Sequence, residues 1–188
     1  QHIPNDGCIV SPHVEIFRET SARGYAFQAA PTRLLGVCSM AMFNMNPRVS
    51  DSPMDAPQDF AEYCRQVRQK FRAVLAASKE LGADVLVCPD VGCGVFGNDP
   101  EVVGALLGEA IREYPGSIEV VVTGKPQFYE AARMSAEAPS GAAPREEKPA
   151  PESFGARARA AAAPVPALHS PPYGAGGRAP ADRAPGLG

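Results

Sequence analysis

The sequence contains no tryptophan, three histidines and only 7% aromatic residues in 188. It has no apolar run near the roughly 18 residues that a membrane span requires, and no charged opening followed by an apolar stretch of the secretory type. Basic runs are missing as well. Residues 1–138 carry 12 Lys and Arg against 17 Asp and Glu, so the phosphate neutralisation that drives duplex nucleic-acid binding has no source there. The five cysteines (Cys8, Cys38, Cys64, Cys88 and Cys93) are odd in number and form no Cys-x-x-Cys pair. No histidine cluster stands beside them, so neither a disulfide framework nor a zinc site is expected, and reduced thiols are. These absences predict an intracellular protein, cytoplasmic or nuclear, with no membrane or duplex nucleic-acid partner and no metal or cofactor. The chain opens on Gln1 and not on Met, which predicts a segment preceding it.

What is present is distributed unevenly. Residues 139–188 hold 14 Ala, 10 Pro and 7 Gly, with Phe154, Val165, Leu168, Tyr173 and Leu187 as the only larger apolar side chains. Such a segment buries too little surface to offset its conformational entropy and reads as a disordered tail. The foldable body is residues 1–138, enough for one core.

Within the body, alternation over residues 8–12 and 14–19, broken at Ser11-Pro12-His13, predicts a hairpin or a kinked edge strand. Residues 34–43 read as a strand covered on both faces. Phe60, Cys64, Val67, Phe71, Val74, Leu75, Ser78 and Leu81 recur at helical spacing, with Asp55 as N-cap, Pro57 in the first turn and Gly82 as the stop. Residues 84–91 predict a buried strand, and residues 100–114 a helix with Val103, Leu106, Leu107, Ala110 and Ile111 on one stripe. Another buried strand follows over 118–123, then a short helix over 127–138. The order over 34–123 is βαβαβ, which implies parallel pairing with a right-handed crossover.

The segment with most chemical content is Val91-Gly92-Cys93-Gly94-Val95-Phe96-Gly97-Asn98-Asp99-Pro100. It lies between the end of a predicted parallel strand and the start of a helix, the edge where open α/β sheets collect ligands. Three glycines in six residues allow several N–H groups to converge, and the helix adds free N–H groups and a partial positive charge. A phosphate or diphosphate fits such a loop. A plain glycine-rich connection is the alternative. Gly92-x-Gly94-x-x-Gly97 also matches the dinucleotide fingerprint of an NAD(P)-binding Rossmann-like domain. Against that reading, the helix starts three residues beyond Gly97, and the next strand closes on Thr123-Gly124-Lys125 where an acidic residue is required. Cys93 reads either as a nucleophile activated near a helix start or as a small residue filling a tight turn. Phe96 reads either as core or as a ring covering a ribose or base.

Residues 86–103, Leu-Val-Cys-Pro-Asp-Val-Gly-Cys-Gly-Val-Phe-Gly-Asn-Asp-Pro-Glu-Val-Val, resemble the diphosphate-loop signature of microbial-type poly(ADP-ribose) glycohydrolases, which have a macrodomain fold. Residues 10–18, Val-Ser-Pro-His-Val-Glu-Ile-Phe-Arg, resemble the Ser-Pro-x-Val-x-x-Phe-Arg segment that those proteins carry upstream. The resemblance extends over about residues 7–130. It implies a macrodomain-like mixed sheet flanked by helices, in which residues 1–138 form a partial ADP-ribose-binding domain before the disordered tail. It also implies that Gly92, Cys93, Gly94, Val95, Phe96, Gly97 and Asn98 cradle the ADP-ribose diphosphate, with Phe96 against the terminal ribose. Asn44 and Asn46 both qualify as the asparagine that the family places after the strand at 34–43, and Phe128 or Tyr129 would flank the adenine. The expected partner is ADP-ribose, poly(ADP-ribose) or an ADP-ribosylated protein.

In the family the catalytic carboxylates sit in a glycine-rich stretch ending in Gln-Glu-Glu, well before the Ser-Pro segment. Here only about ten residues precede that segment, and the one Glu-Glu pair, Glu146-Glu147, falls in the tail. No catalytic residue is therefore assigned. Asp99 reads as an N-cap, Glu101 as a complement to the helix dipole and Asp90 as a strand-end acid at the ligand edge. Two classes stay open: part of a glycohydrolase whose acid lies upstream of Gln1, and a module that binds ADP-ribose without cleaving it.

Overall fold

The computed structural model describes residues 3–152 and Phe154. It is a mixed α/β fold whose elements run β1 (Ile9–Pro12), β2 (Glu15–Arg18), β3 (Phe27–Arg33), β4 (Gly36–Ser39), α1 (Phe60–Glu80), β5 (Val85–Cys88), α2 (Pro100–Glu113), β6 (Glu119–Val122) and α3 (Pro126–Ala136). The strands form three two-stranded ladders. β1 pairs antiparallel with β4 and β2 antiparallel with β3, while β5 and β6 pair in parallel across α2. The crossover read from residues 84–123 is thus formed. The first half of the expected βαβαβ order is not, since no ladder joins β4 to β5 among the described residues. A cavity of about 360 Å³ lies between them, lined by Val37, Cys38, Leu86 and Val87 with Val74 and Ser78 of α1.

Nor do residues 8–19 form a hairpin on themselves. They form the kinked edge strand that the sequence offers as the alternative: His13, at φ 56°, bends the chain between β1 and β2, and its N–H still donates to the Leu35 carbonyl (2.9 Å), so both halves pair with residues 27–39 in one register up to a bulge after Ile16. β3 has no apolar alternation and contains Pro31. Only its pairing with β2 makes it a strand.

α1 is an amphipathic helix whose buried stripe includes Tyr63, Cys64, Val67, Phe71 and Leu75. Burying each of the larger apolar side chains contributes about 1.5–3 kcal/mol. Its N-cap is Asp59 and not Asp55: the Asp59 carboxylate accepts from Glu62 N–H at 2.7 Å. Asp55 is drawn away by a tertiary bond, accepting Asn44 N–H at 2.7 Å. α2 starts as its sequence predicts, with Asp99 as cap and Pro100 in the first turn. It presses against α3 at Gly104 and Gly108, where an added Cβ would lie 2.3 Å from the Phe128 carbonyl oxygen and 2.2 Å from that of Ala132.

The helices cover one face of β5 and β6. Leu86, Cys88, Val120 and Val122 meet the core, while Val85, Val87 and Val121 stay exposed, Val87 at 61%. Burial on both faces, the reading that continuous apolar runs invite, does not hold here. The packed body also extends past Ala138. A 3-10 turn at Arg145–Glu147 rests on α1 and α2, and Phe154 is buried against Phe60 and Tyr63. Composition misses this because one ring and one carboxylate suffice to dock a segment that is otherwise poor in apolar residues. Residues 155–188, with the rest of the expected tail, lie outside the described residues. No helix among the described residues is long and apolar enough to cross a membrane.

Candidate ligand-binding loop

Residues 91–99 connect β5 to α2 at the C-terminal edge of the parallel pair. Gly92 has φ 74° and faces Met42 and Asn98 so closely that an added Cβ would lie 2.9 Å and 2.8 Å from them. Only glycine fits both the conformation and the space. The loop closes on itself through Asn98 N–H to the Gly92 carbonyl (3.1 Å) and Gly97 N–H to the Gly94 carbonyl (3.0 Å). Cys93 N–H donates to the Asp90 carbonyl.

The Asn98 side chain is buried behind the loop. Its amide nitrogen donates to the carbonyls of Gly92 (2.9 Å) and Phe43 (2.8 Å), and its oxygen accepts the Tyr63 hydroxyl at 2.7 Å. One asparagine therefore holds the loop to α1 and to the chain after β4. In front, Asn46 donates from its amide to the Val95 carbonyl at 2.8 Å, and Met45 N–H donates to the Phe96 carbonyl at 2.9 Å. Asn44 is 1% exposed and fully engaged: its amide nitrogen donates to the Ser52 carbonyl and its oxygen accepts Asn46 N–H. Of the two asparagines, Asn46 borders the loop and Asn44 lies beneath it.

The loop leaves a row of donors unspent. The N–H groups of Gly94, Val95 and Phe96 have no acceptor among the described residues. Val95 is 68% exposed, and an added Cβ on Gly94 would meet nothing within 4 Å. In general, consecutive N–H groups can converge into an anion-binding concavity. The helix end does not add to it as its sequence position suggests. Pro100 has no N–H, and those of Glu101 (2.9 Å) and Val102 (3.4 Å) both donate to the Asp99 carboxylate. The donors belong to the loop tip.

Asp90, the strand-end acid, is also occupied. Its carboxylate accepts Lys125 N–H at 3.4 Å and packs against Gly124, while the Lys125 ammonium donates to the Cys93 carbonyl. Lys125 and Tyr63 are thus loop supports that sequence reasoning missed. Lys125 follows β6 at the ligand edge, a position that could have marked it. Tyr63 is one turn from Phe60 on the apolar stripe and carries no separate signal.

Cys93 is buried and its thiol donates to the Val91 carbonyl at 3.5 Å, a packing arrangement. Burial pushes the thiols of Cys88 and Cys64 up to about 11 and about 12. Phe96 is half-buried with one side on the core. Phe128 is fully buried under α2 and offers no face to a base, whereas Tyr129 is exposed on α3. Beneath the loop, the Lys70 ammonium sits 4.5 Å over the Phe43 ring without a hydrogen-bond partner among the described residues. Burial holds its pKa below the ordinary lysine value, opposed by Asp55. No cluster of three or more metal-ligating side chains occurs among the described residues.

The resemblance drawn from residues 86–103, and the mixed α/β fold it implies, are borne out by solved structures. A poly(ADP-ribose) glycohydrolase from Deinococcus radiodurans in complex with ADP-ribose superposes with a TM-score of 0.53 at 26% identity, over 69% of this chain and 52% of that one. Its apo form gives 0.53 and 26%, over 69% and 53%. The glycohydrolase from Thermomonospora curvata gives 0.49 and 26%, over 69% and 46%. The chain spans about half the length of these structures. No protein-family model and no curated protein matches it.

Proposed function

We propose that this chain is the ligand-cradling portion of a poly(ADP-ribose) glycohydrolase-like macrodomain and binds ADP-ribose through residues 92–98. The observation that carries this reading is the row of unspent N–H groups at Gly94, Val95 and Phe96, with Gly94 and Val95 exposed and open space where a side chain on Gly94 would stand. A diphosphate offers the oxygens to accept them, and the terminal ribose would lie against the exposed side of Phe96. The ADP-ribose complex of the Deinococcus protein supports the assignment.

Cleaving a ribose–ribose bond requires an acid at the leaving oxygen and stabilisation of an oxocarbenium-like centre. The acids of this chain nearest the loop serve other ends: Asp99 caps α2 and Asp90 accepts from Lys125. Of the Glu146-Glu147 pair, Glu146 is ion-paired to Arg68 at 2.6 Å. The chain alone therefore binds and orients ADP-ribose and does not hydrolyse the polymer. Calorimetric titration of the full chain with ADP-ribose and with NAD tests this. ADP-ribose should bind more tightly, since the loop is longer than a dinucleotide turn and β6 lacks the ribose-reading acid; NAD binding as tight or tighter would overturn the reading.

A further inference from the structure

The segment beyond α3 packs on the helices that support the loop. At Arg145–Glu147 the chain is fastened to two helices. Arg145 N–H donates to the Glu109 carboxylate at 2.6 Å, and its guanidinium lies 4.9 Å over the Phe60 ring. Glu146 accepts from Arg68 at 2.6 Å, and Arg68 also donates to Glu109 at 3.1 Å. Arg68 and Glu109 are both buried. Burial works against the Arg68 charge, but the bonds to Glu146 and Glu109 hold its pKa above the ordinary arginine value. From this clasp the chain runs on to Phe154, whose ring meets Phe60 edge-on at 4.9 Å and Tyr63 at 5.2 Å.

Tyr63 is the link. Its ring takes Phe154 on one side and Phe43 at 5.9 Å on another, and its hydroxyl donates to Asn98. Asn98 in turn holds both Gly92 and Phe43. Two contacts thus separate Phe154 from the closure of the loop: a ring packed on a ring, then a buried hydroxyl on an amide. A hydroxyl holds an amide in register only while its own ring is fixed, and here Phe154 helps to fix it.

We propose that Phe154, held in place by the Glu146–Arg68–Glu109 clasp, is a positioning residue for the ligand loop and acts through Tyr63 and Asn98. The consequence for affinity rests on the ADP-ribose reading; the mechanical link does not. Loss of the Phe154 ring frees Tyr63 to tilt, and the Gly92–Asn98 closure opens more often. The row of N–H groups is then less often arranged to receive an anion, and ligand binding weakens in proportion.

Amide hydrogen exchange on the full chain, without ligand, reads the link directly. In Phe154→Ala, the hydrogen-bonded loop amides, those of Cys93, Gly97, Asn98 and Met45, should exchange at least about tenfold faster, with those of β5 and β6 little changed. Phe154→Leu, which keeps most of the apolar bulk, should restore most of the protection, and it carries the comparison if the alanine variant does not fold. Tyr63→Phe should loosen the same residues, and Phe154→Ala added to it should cause no further loosening there. Equal acceleration at every amide would reduce Phe154 to a stability role, and additive effects of the two substitutions would remove Tyr63 as the link. Either result, or an unchanged loop, overturns the proposal. ADP-ribose titration of the same variants should show Kd rising with loop exchange. If the wild-type chain binds no ADP-ribose, the functional reading fails, and the exchange data still decide whether Phe154 positions the loop.

Discussion

Gly92 and Gly94 are two residues apart and do different things. Gly92 is required by its positive φ and by Met42 and Asn98 pressing on it, so Gly92→Ala should destabilise the fold by more than the ~1 kcal/mol of an ordinary Gly-to-Ala exchange. Gly94 faces open space, so Gly94→Ala should leave the melting temperature nearly unchanged and weaken ADP-ribose about tenfold, roughly 1.4 kcal/mol, by filling the space the diphosphate needs. Melting curves and titrations of both variants separate the two roles. The motif itself was legible in the sequence, but which glycine serves the fold and which the ligand was not, because that depends on Met42, far from it in the chain. A second residue-scale prediction concerns Cys64. Burial raises its folded pKa to about 12 from the ordinary thiol value of 9.0. Above pH 9 the unfolded chain loses this proton and the folded one keeps it, so stability falls from pH 9 towards 12. Cys64→Val should remove that contribution: its stability relative to wild type should be constant below pH 9 and improve above it in denaturant titrations. A constant offset up to pH 11 would contradict this.

At the scale of elements, α1 and α2 were legible from their apolar spacing, and Asp99 with Pro100 gave the start of α2. The start of α1 was misjudged because Asp55 and Asp59 are both acceptable caps by sequence, and a tertiary bond to Asn44 chooses between them. Strand partners were less legible than strands: residues 9–18 run as one strand kinked at His13, as the alternation and Pro12 suggest, but their partner over 27–39 has no apolar alternation in β3 to mark it. The clasp at Arg145–Glu147 could not be read at all, since its anchors on α1 and α2 stand among many charged residues with no pattern to single them out. Its energetic weight follows from burial. Arg68→Met leaves the Glu109 and Glu146 carboxylates without their shared cation, and should cost about 3–5 kcal/mol in chemical denaturation. The exposed pair Arg133–Glu137 is a control. Breaking it should cost less than about 1 kcal/mol.

At the scale of the molecule, helices pack on one face of the β5–β6 ladder, and among the described residues no layer covers the opposite row of Val85, Val87 and Val121. The sequence gives these strands the apolar continuity of two-sided burial, and the described residues supply one side. Val87→Thr should therefore change stability by no more than about 0.5 kcal/mol, as for a surface site; a loss of several kcal/mol would show that the face is covered in solution. The loop stands at the edge of this half-covered ladder, supported by Tyr63 and Asn98 behind and by Asn46 and Lys125 at its sides. The tip of the loop carries three N–H groups without an acceptor among the described residues, and the proposed function rests on them. Following backbone amide resonances of the full chain during titration with ADP-ribose tests this most directly. The largest shifts should fall on Gly94, Val95 and Phe96, with smaller ones at Gly97 and Asn98, whose N–H groups are already bonded. Saturable binding with those three amides unmoved, or shifts centred on the first turn of α2, would contradict it.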